Sequence, residues 1–288
     1  MIAHDKDSAA PELPAGYAFY VRVLRQDGPG RPERWERFQL AYEPGMNVIS
    51  VLQQIATRPL TSDGTVTTPV AWDCNCLEEV CGACTMVIND RVRQSCSANV
   101  ARLLSEKPGE IELRPMEKFP VVRDLMVDRS RVFRALTKIK AWVPVEGYYE
   151  MGPGPKIARE MQERMYPLSE CMTCGCCLDA CPQYAKIELT REPGESDADF
   201  ERRKNEAYDV AFVGPHAIGQ TELHNSHPTG AMMKNERIDV MMEPGGIQDC
   251  GNAQNCVAVC PKHIPLTTSI GRIGRAATIR AFARIFGS

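Results

Sequence analysis

The chain has 288 residues, a formal net charge of −3 and 25% charged residues, so no global basic excess points to nucleic acid, and the length suffices for two domains with ordinary cores. No apolar run approaches the ~18 residues of a membrane-spanning helix, and residues 1–8 lack the apolar centre of a signal peptide. The thirteen cysteines are therefore expected in a reducing compartment, where thiols bind metal more readily than they pair as disulfides.

Residues 1–15 are polar, contain two prolines and read as a loose tail. A half-buried strand pattern runs over 17–25, a turn cluster follows at 27–30, and a second strand pattern runs over 36–42. Asn47 can cap a helix over 48–55, with apolar residues at 48, 51, 52 and 55. Cys76-x4-Cys81-x2-Cys84 follows. Residues 85–88 and 91–95 then read as hairpin arms around Asn89 and Asp90, carrying Cys96 back to the other three thiols. Residues 111–114 supply a closing strand. Two strands, a helix and a cysteine loop of this spacing describe a β-grasp, plant-type 2Fe–2S ferredoxin domain over 16–120.

From 121 to 288 the character changes to helical. Ser130 or Asp128 can start a helix through Lys140, and 144–155 is a Pro/Gly-rich stretch read as an extended linker. Short helical patterns then alternate with cysteine loops. Cys171-x2-Cys174-x2-Cys177-x3-Cys181-Pro182 is the bacterial ferredoxin run, in which the last cysteine serves the other cluster of a pair. A third group, Cys250-x5-Cys256-x3-Cys260-Pro261, echoes its end. The overall expectation is an α+β chain, a β-grasp domain followed by an α-helical, bacterial-type ferredoxin domain.

Cluster cores need several thiolates converging from short loops of small residues, and Gly82, Ala83 and Gly175 suit that need. Zinc wants four tetrahedral ligands, usually from two CxxC knuckles, which the x4-then-x2 spacing fits poorly. A full run from Cys250 would place a cysteine at 253, where Ala253 stands. With crossover, Cys171, Cys174, Cys177 and Cys260 hold a 4Fe–4S cluster. Cys181, Cys250 and Cys256 are then left with three thiolates, the count of a 3Fe–4S core. Cys76, Cys81, Cys84 and Cys96 hold the 2Fe–2S cluster. Cys74 and Cys176 are left over; each competes with a neighbouring ligand or packs as a small buried thiol, the commoner behaviour of free cysteine.

These cysteine groups, in this order, resemble those of the iron–sulfur subunits of succinate dehydrogenase and fumarate reductase, the respiratory complex II family. The segments 72–84, 119–129, 227–231 and 256–262 carry the same resemblance, which covers about residues 17–275. It implies a flavoprotein partner with covalent FAD, a cytochrome b membrane anchor with haem b and quinone, and a peripheral place on the cytoplasmic face of the bacterial cell membrane. The role implied for this chain is to pass electrons singly from FAD through 2Fe–2S, 4Fe–4S and 3Fe–4S to quinone, with no acid, base or nucleophile of its own. A fumarate reductase subunit running in the opposite direction shares every one of these residues, and a zinc-stabilised scaffold is the competing reading from another class.

Three departures from the family bear on this. Ubiquinone-reducing relatives have Trp and His where this chain has Lys186 and Gly251, which leans toward menaquinone. Residues 186–209 look like an insertion, read as a solvated surface helix or as a partner contact. Asn89-Asp90 stands where the family commonly has an Asn-Gly turn. His216, His224 and His227 lack a zinc spacing and are read as core or surface residues. Residues 261–288 contain Lys262, Arg272, Arg275, Arg280 and Arg284 but no Asp or Glu. This basic amphipathic end either docks on the membrane side or packs as an ordinary terminal helix.

Overall fold

Side-chain alternation decides the first strand. In β1 (Ala18–Arg25), Phe19, Val21, Val23 and Arg25 all point inward. In the computed structural model, which describes residues 11, 13–144 and 156–287, β1 pairs antiparallel with β2 (Arg34–Ala41) and parallel with β5 (Glu110–Arg114). Strand β5 pairs antiparallel with β3 (Thr85–Ile88), and β3 with β4 (Arg91–Gln94), giving the order β2-β1-β5-β3-β4. Helix α1 (Val48–Thr57) lays Val48, Val51, Leu52 and Ile55 on this sheet, and α2 (Val100–Glu106) adds Val100, Leu103 and Leu104.

The local chemistry explains the boundaries. Asn47 Oδ1 accepts from the Ser50 N–H (3.0 Å) and caps α1 as its type and position require. Asn89 and Asp90 both sit at positive φ (48° and 62°), the pair of angles a two-residue hairpin turn needs. Asn89 Oδ1 also accepts from the Glu112 N–H (2.9 Å), tying the turn to β5.

Because Arg25 lies on the inward face of β1, it must be neutralised inside. Its Nε and Nη2 meet both oxygens of Asp124 (2.9 and 3.1 Å), and both side chains are fully buried. Asp124 also accepts from the Gln26 and Ala71 N–H groups. It sits at φ +49° in the turn between β6 (Val121–Arg123) and β7 (Met126–Val127). The chain divides into two compact units between Asp128 and Arg129, later than the position near 120 expected from sequence.

The second unit is helical throughout its described residues. It comprises α3 (Ser130–Lys138), α4 (Arg159–Ser169), α5 (Cys176–Asp179), α6 (Asp197–Val210), α7 (Gly214–Ser226), α8 (Lys234–Met241), α9 (Asn255–Ala258) and α10 (Leu266–Phe286). The tail and the linker expected at 144–155 fall almost wholly outside the described residues. Buried cations staple the loops: Arg131 donates to the carbonyls of Ala185 and Phe212 and lies 3.8 Å over the Tyr184 ring. Arg237 gathers the carbonyls of Lys140, Trp142 and Gly230.

Segment 186–209 forms an irregular stretch and then α6, capped by Ser196 and largely exposed, with Tyr208 buried. Asp209 pairs with Arg134 and so fixes the end of α6 to α3. Helix α10 buries Leu266, Ser269, Ile273 and Ala277 but leaves Ile279, Phe282, Ile285 and Phe286 exposed. Arg280 and Arg284 are not free for an outside partner, because both pair with Asp239 of α8. No helix of the described residues is long and apolar enough to cross a membrane.

Candidate metal centres

In the first unit the loop between α1 and β3 wraps around a sulfur. Leu77 and Glu79 adopt left-handed angles (φ 61° and 55°), and Gly82 does the same at 69°. Non-glycine residues adopt such angles at a cost, and runs of N–H groups turned to one side form anion-binding nests. Here the N–H groups of Glu78, Val80 and Cys81 point at Cys76 Sγ from 3.3–3.4 Å, and Ala83 N–H points at Cys81 Sγ from 3.5 Å. These donors pull the Cys76 thiol down to about 7.

Cys84 and Cys96 lie deeper, packed with Ile49 and Trp72. Burial, then the adjacent Cys84, pushes the Cys96 thiol up to about 12. Asn47, besides capping α1, donates from Nδ2 to the Cys96 carbonyl (3.0 Å) and so holds the fourth thiol beside the helix start. Cys74 is exposed rather than packed as a small apolar group, which overturns the bland expectation for it.

In the second unit, Cys171, Cys174, Cys176, Cys177 and Cys260 line one pocket, so residues 83 positions apart and more come together as the crossover rule requires. Cys177 feels the charges of Cys174, Cys171 and Cys260 ahead of that of Cys256. Cys256 has Cys181 and Cys250 as its electrostatic neighbours, and it also packs in one apolar cluster with Cys260, Cys171 and Cys177. Asn255 Nδ2 donates to the Ala180 carbonyl (3.0 Å) and clamps the third cysteine loop against the second.

Burial drives Cys171 up to about 11, Cys177 well above its ordinary value and Cys256 up to about 11. The Cys176 thiol, itself fully buried as expected, hydrogen-bonds to Cys174 and brings it down to about 7. Buried thiols of this kind become thiolates when a cation compensates them, which couples metal binding to proton release. Among the described residues no group of three or more His, Cys, Asp or Glu converges tightly enough to hold a single ion. The all-sulfur donor sets, the N–H nest at Cys76 and the shared pocket fit multinuclear iron–sulfur cores.

The histidines separate. His224 Nδ1 bonds to the Gln220 carbonyl of its own helix, and His227 Nδ1 accepts from the N–H groups of Thr229 and Gly230, closing a turn. His216 differs: it is 3% exposed and lines the cysteine pocket. Sequence spacing gave no sign of this, nor of Arg129, whose Nη2 donates to the Thr173 carbonyl (2.6 Å) in the loop between Cys171 and Cys174. Their signal lies in tertiary packing alone.

Comparison with known proteins agrees with this geometry. Residues 20–134 match the family model of the 2Fe-2S iron-sulfur cluster binding domain. The chain is 48% identical to a succinate dehydrogenase iron-sulfur subunit of Bacillus subtilis, over 92% of this chain and 95% of that one. It is 23% identical to a fumarate reductase iron-sulfur subunit of Wolinella succinogenes, over 90% and 97% of the two chains. A chain in the Mycobacterium smegmatis Sdh1 complex in the apo form shares the fold, with a TM-score of 0.67 over 93% of this chain and 98% of that one, at 21% identity. With nearly half its residues shared over almost the full length of such a relative, the chain belongs to the family of succinate dehydrogenase and fumarate reductase iron–sulfur subunits.

Proposed function

We propose that this chain is the electron-transfer subunit of a succinate:quinone oxidoreductase, working in the direction of succinate oxidation. The observation that carries the reading is the approach of Cys260 to the second cysteine group, where it lines one pocket with Cys171, Cys174, Cys176 and Cys177. Cys76, Cys81, Cys84 and Cys96 would hold 2Fe–2S, the crossover set 4Fe–4S, and Cys181, Cys250 and Cys256 3Fe–4S. When bound, these clusters supply one-electron carriers between the two-electron chemistry of a flavin and a quinone. The chain's own part is to supply thiolates, exclude water and aim N–H groups at sulfur, levers that set a cluster's potential.

A flavoprotein carrying FAD and a cytochrome b anchor carrying haem b are the partners this reading requires. They would hold the chain peripherally at the cytoplasmic face of the bacterial membrane. The direction is supported by the 48% identity to a succinate dehydrogenase subunit against 23% to a fumarate reductase subunit. Menaquinone is supported by Lys186 and Gly251 standing at the two positions noted above. A Cβ at Gly251 would lie 2.5 Å from the Gln183 amide, so Gln183 already occupies the space a side chain there would take.

Purification of the native complex tests the reading. The chain should leave the membrane together with a flavoprotein and a haem protein, and succinate should reduce its clusters with a menaquinone analogue as final acceptor. Recovery of the chain alone from the soluble fraction, with clusters that succinate does not reduce, would contradict it.

A further inference from the structure

His216 stands at the cysteine pocket of the second unit with nothing to bond. Neither ring nitrogen has a hydrogen-bond partner, although the side chain is almost wholly buried. A buried, unbonded N–H costs free energy and calls for an acceptor. The backbone goes to some length to put it there. Gly214, at φ +87°, begins α7, and a Cβ on it would lie 2.2 Å from Leu178 Cδ2. Only a glycine therefore lets the first turn of α7 press against α5, the helix that carries Cys176 and Cys177.

An imidazole carries at least one N–H donor in either protonation state. The pocket it lines also carries the thiols of Cys171, Cys174, Cys176, Cys177 and Cys260, none of which bonds to the ring, so the acceptor on offer is a sulfur of the bound cluster.

The geometry points to His216 as a hydrogen-bond donor to a sulfur of the 4Fe–4S centre, a positioning and potential-tuning residue that makes this centre easier to reduce. The inference rests on the cluster assignment proposed above. A donor aimed at sulfur stabilises the added negative charge of the reduced state, so its removal lowers the midpoint potential.

The test uses the assembled complex with its clusters loaded, labelled with histidine carrying 15N in the imidazole ring only, because the backbone N–H of His263 bonds to Cys260. Pulsed EPR of the reduced 4Fe–4S centre should show a weak histidine 15N coupling in the native protein. His216→Leu should abolish that coupling and lower the midpoint of this centre while leaving the 2Fe–2S midpoint unchanged. His216→Gln, which keeps an N–H donor, should lie between the two. A 4Fe–4S signal with no histidine coupling, or a His216→Leu midpoint equal to the native one, overturns the role of His216 and leaves the cluster assignment standing. Fully iron-loaded protein lacking a 4Fe–4S signal overturns both. The native measurement decides the matter even where the leucine variant fails to assemble.

Discussion

Cys76 and Cys177 show how differently one residue type is treated within this chain. Cys76 is half-exposed and surrounded by N–H donors that favour its thiolate, whereas burial strongly opposes ionisation of Cys177. The first loop is preorganised for a charged sulfur at Cys76, whereas a Cys177 thiolate would need a bound cation to compensate it. Ala253 tests the ligand count. It is exposed between Asn252 and Gln254, both at positive φ (53° and 64°), in the loop that joins Cys250 to Cys256. Ala253→Cys should convert the three-thiolate centre toward 4Fe–4S, removing the EPR signal of the oxidised protein and lowering that centre's potential. An unchanged oxidised signal in a folded variant would contradict the assignment of Cys181, Cys250 and Cys256. The grouping of the cysteines was legible because spacing encodes loop geometry. The donors at Cys76 were not, because they are backbone groups whose direction depends on φ at Leu77 and Glu79, and no side chain announces it. His216 is the buried core histidine expected, but its place beside the cysteines was not legible, because its surroundings come from two distant segments, 171–177 and 260–266.

At the scale of elements, the Arg25–Asp124 pair joins β1 to the β6–β7 turn and to the chain at Ala71. Glu36 also pairs with Arg25, so losing Asp124 leaves the arginine partly compensated and costs less than the ~3–5 kcal/mol of breaking an isolated buried pair, but it also orphans the Gln26 and Ala71 N–H groups. Asp124→Ala should therefore lower the urea midpoint of the first unit, followed by the visible absorption of its cluster. A midpoint within error of the native one would show that the pair contributes little. Gly214→Ala should be damaging in the second unit, since the added methyl meets Leu178 at an angle L-residues rarely adopt. Its expected signature is loss of 4Fe–4S with 2Fe–2S retained, and full retention of both would contradict the close approach of α7 to α5.

Helix α10 tests the membrane-side reading. Because Arg280 and Arg284 are engaged by Asp239, charge reversal there would disturb the fold as well as any docking. Phe282, stacked with Phe286 at 6.1 Å, is exposed and gives a cleaner probe. Phe282→Asp with Ile285→Asp should weaken retention by the anchor while iron content stays native, and unchanged retention would leave α10 as an ordinary terminal helix. Elements with a strong local signal were read correctly from sequence: β1 by alternation, α1 by its Asn47 cap, and the β3–β4 hairpin by its turn. Helix α2 and the β6–β7 pair were missed. The first is seven residues long and the second has strands of three and two residues, too short for periodicity to register.

For the whole molecule, two units carry three thiol sets, and the order of cysteine groups along the chain already implied this division. What the order could not supply was proximity. The meeting of Cys260 with Cys171, Cys174 and Cys177 was inferred from a rule about paired clusters and is visible as a shared pocket in the fold. Segment 186–209 likewise was legible as extra length, but its attachment through Asp209 to Arg134 was not, since an ion pair between distant segments leaves no local pattern. The central claim is that this chain is a three-cluster electron carrier. Anaerobic purification with iron, sulfide and zinc counts, followed by EPR of oxidised and dithionite-reduced samples, tests it most directly. The account predicts about nine irons per chain, a 3Fe–4S signal when oxidised and two further signals when reduced. Zinc with little iron or sulfide, in protein fully metallated in its native host, would contradict it.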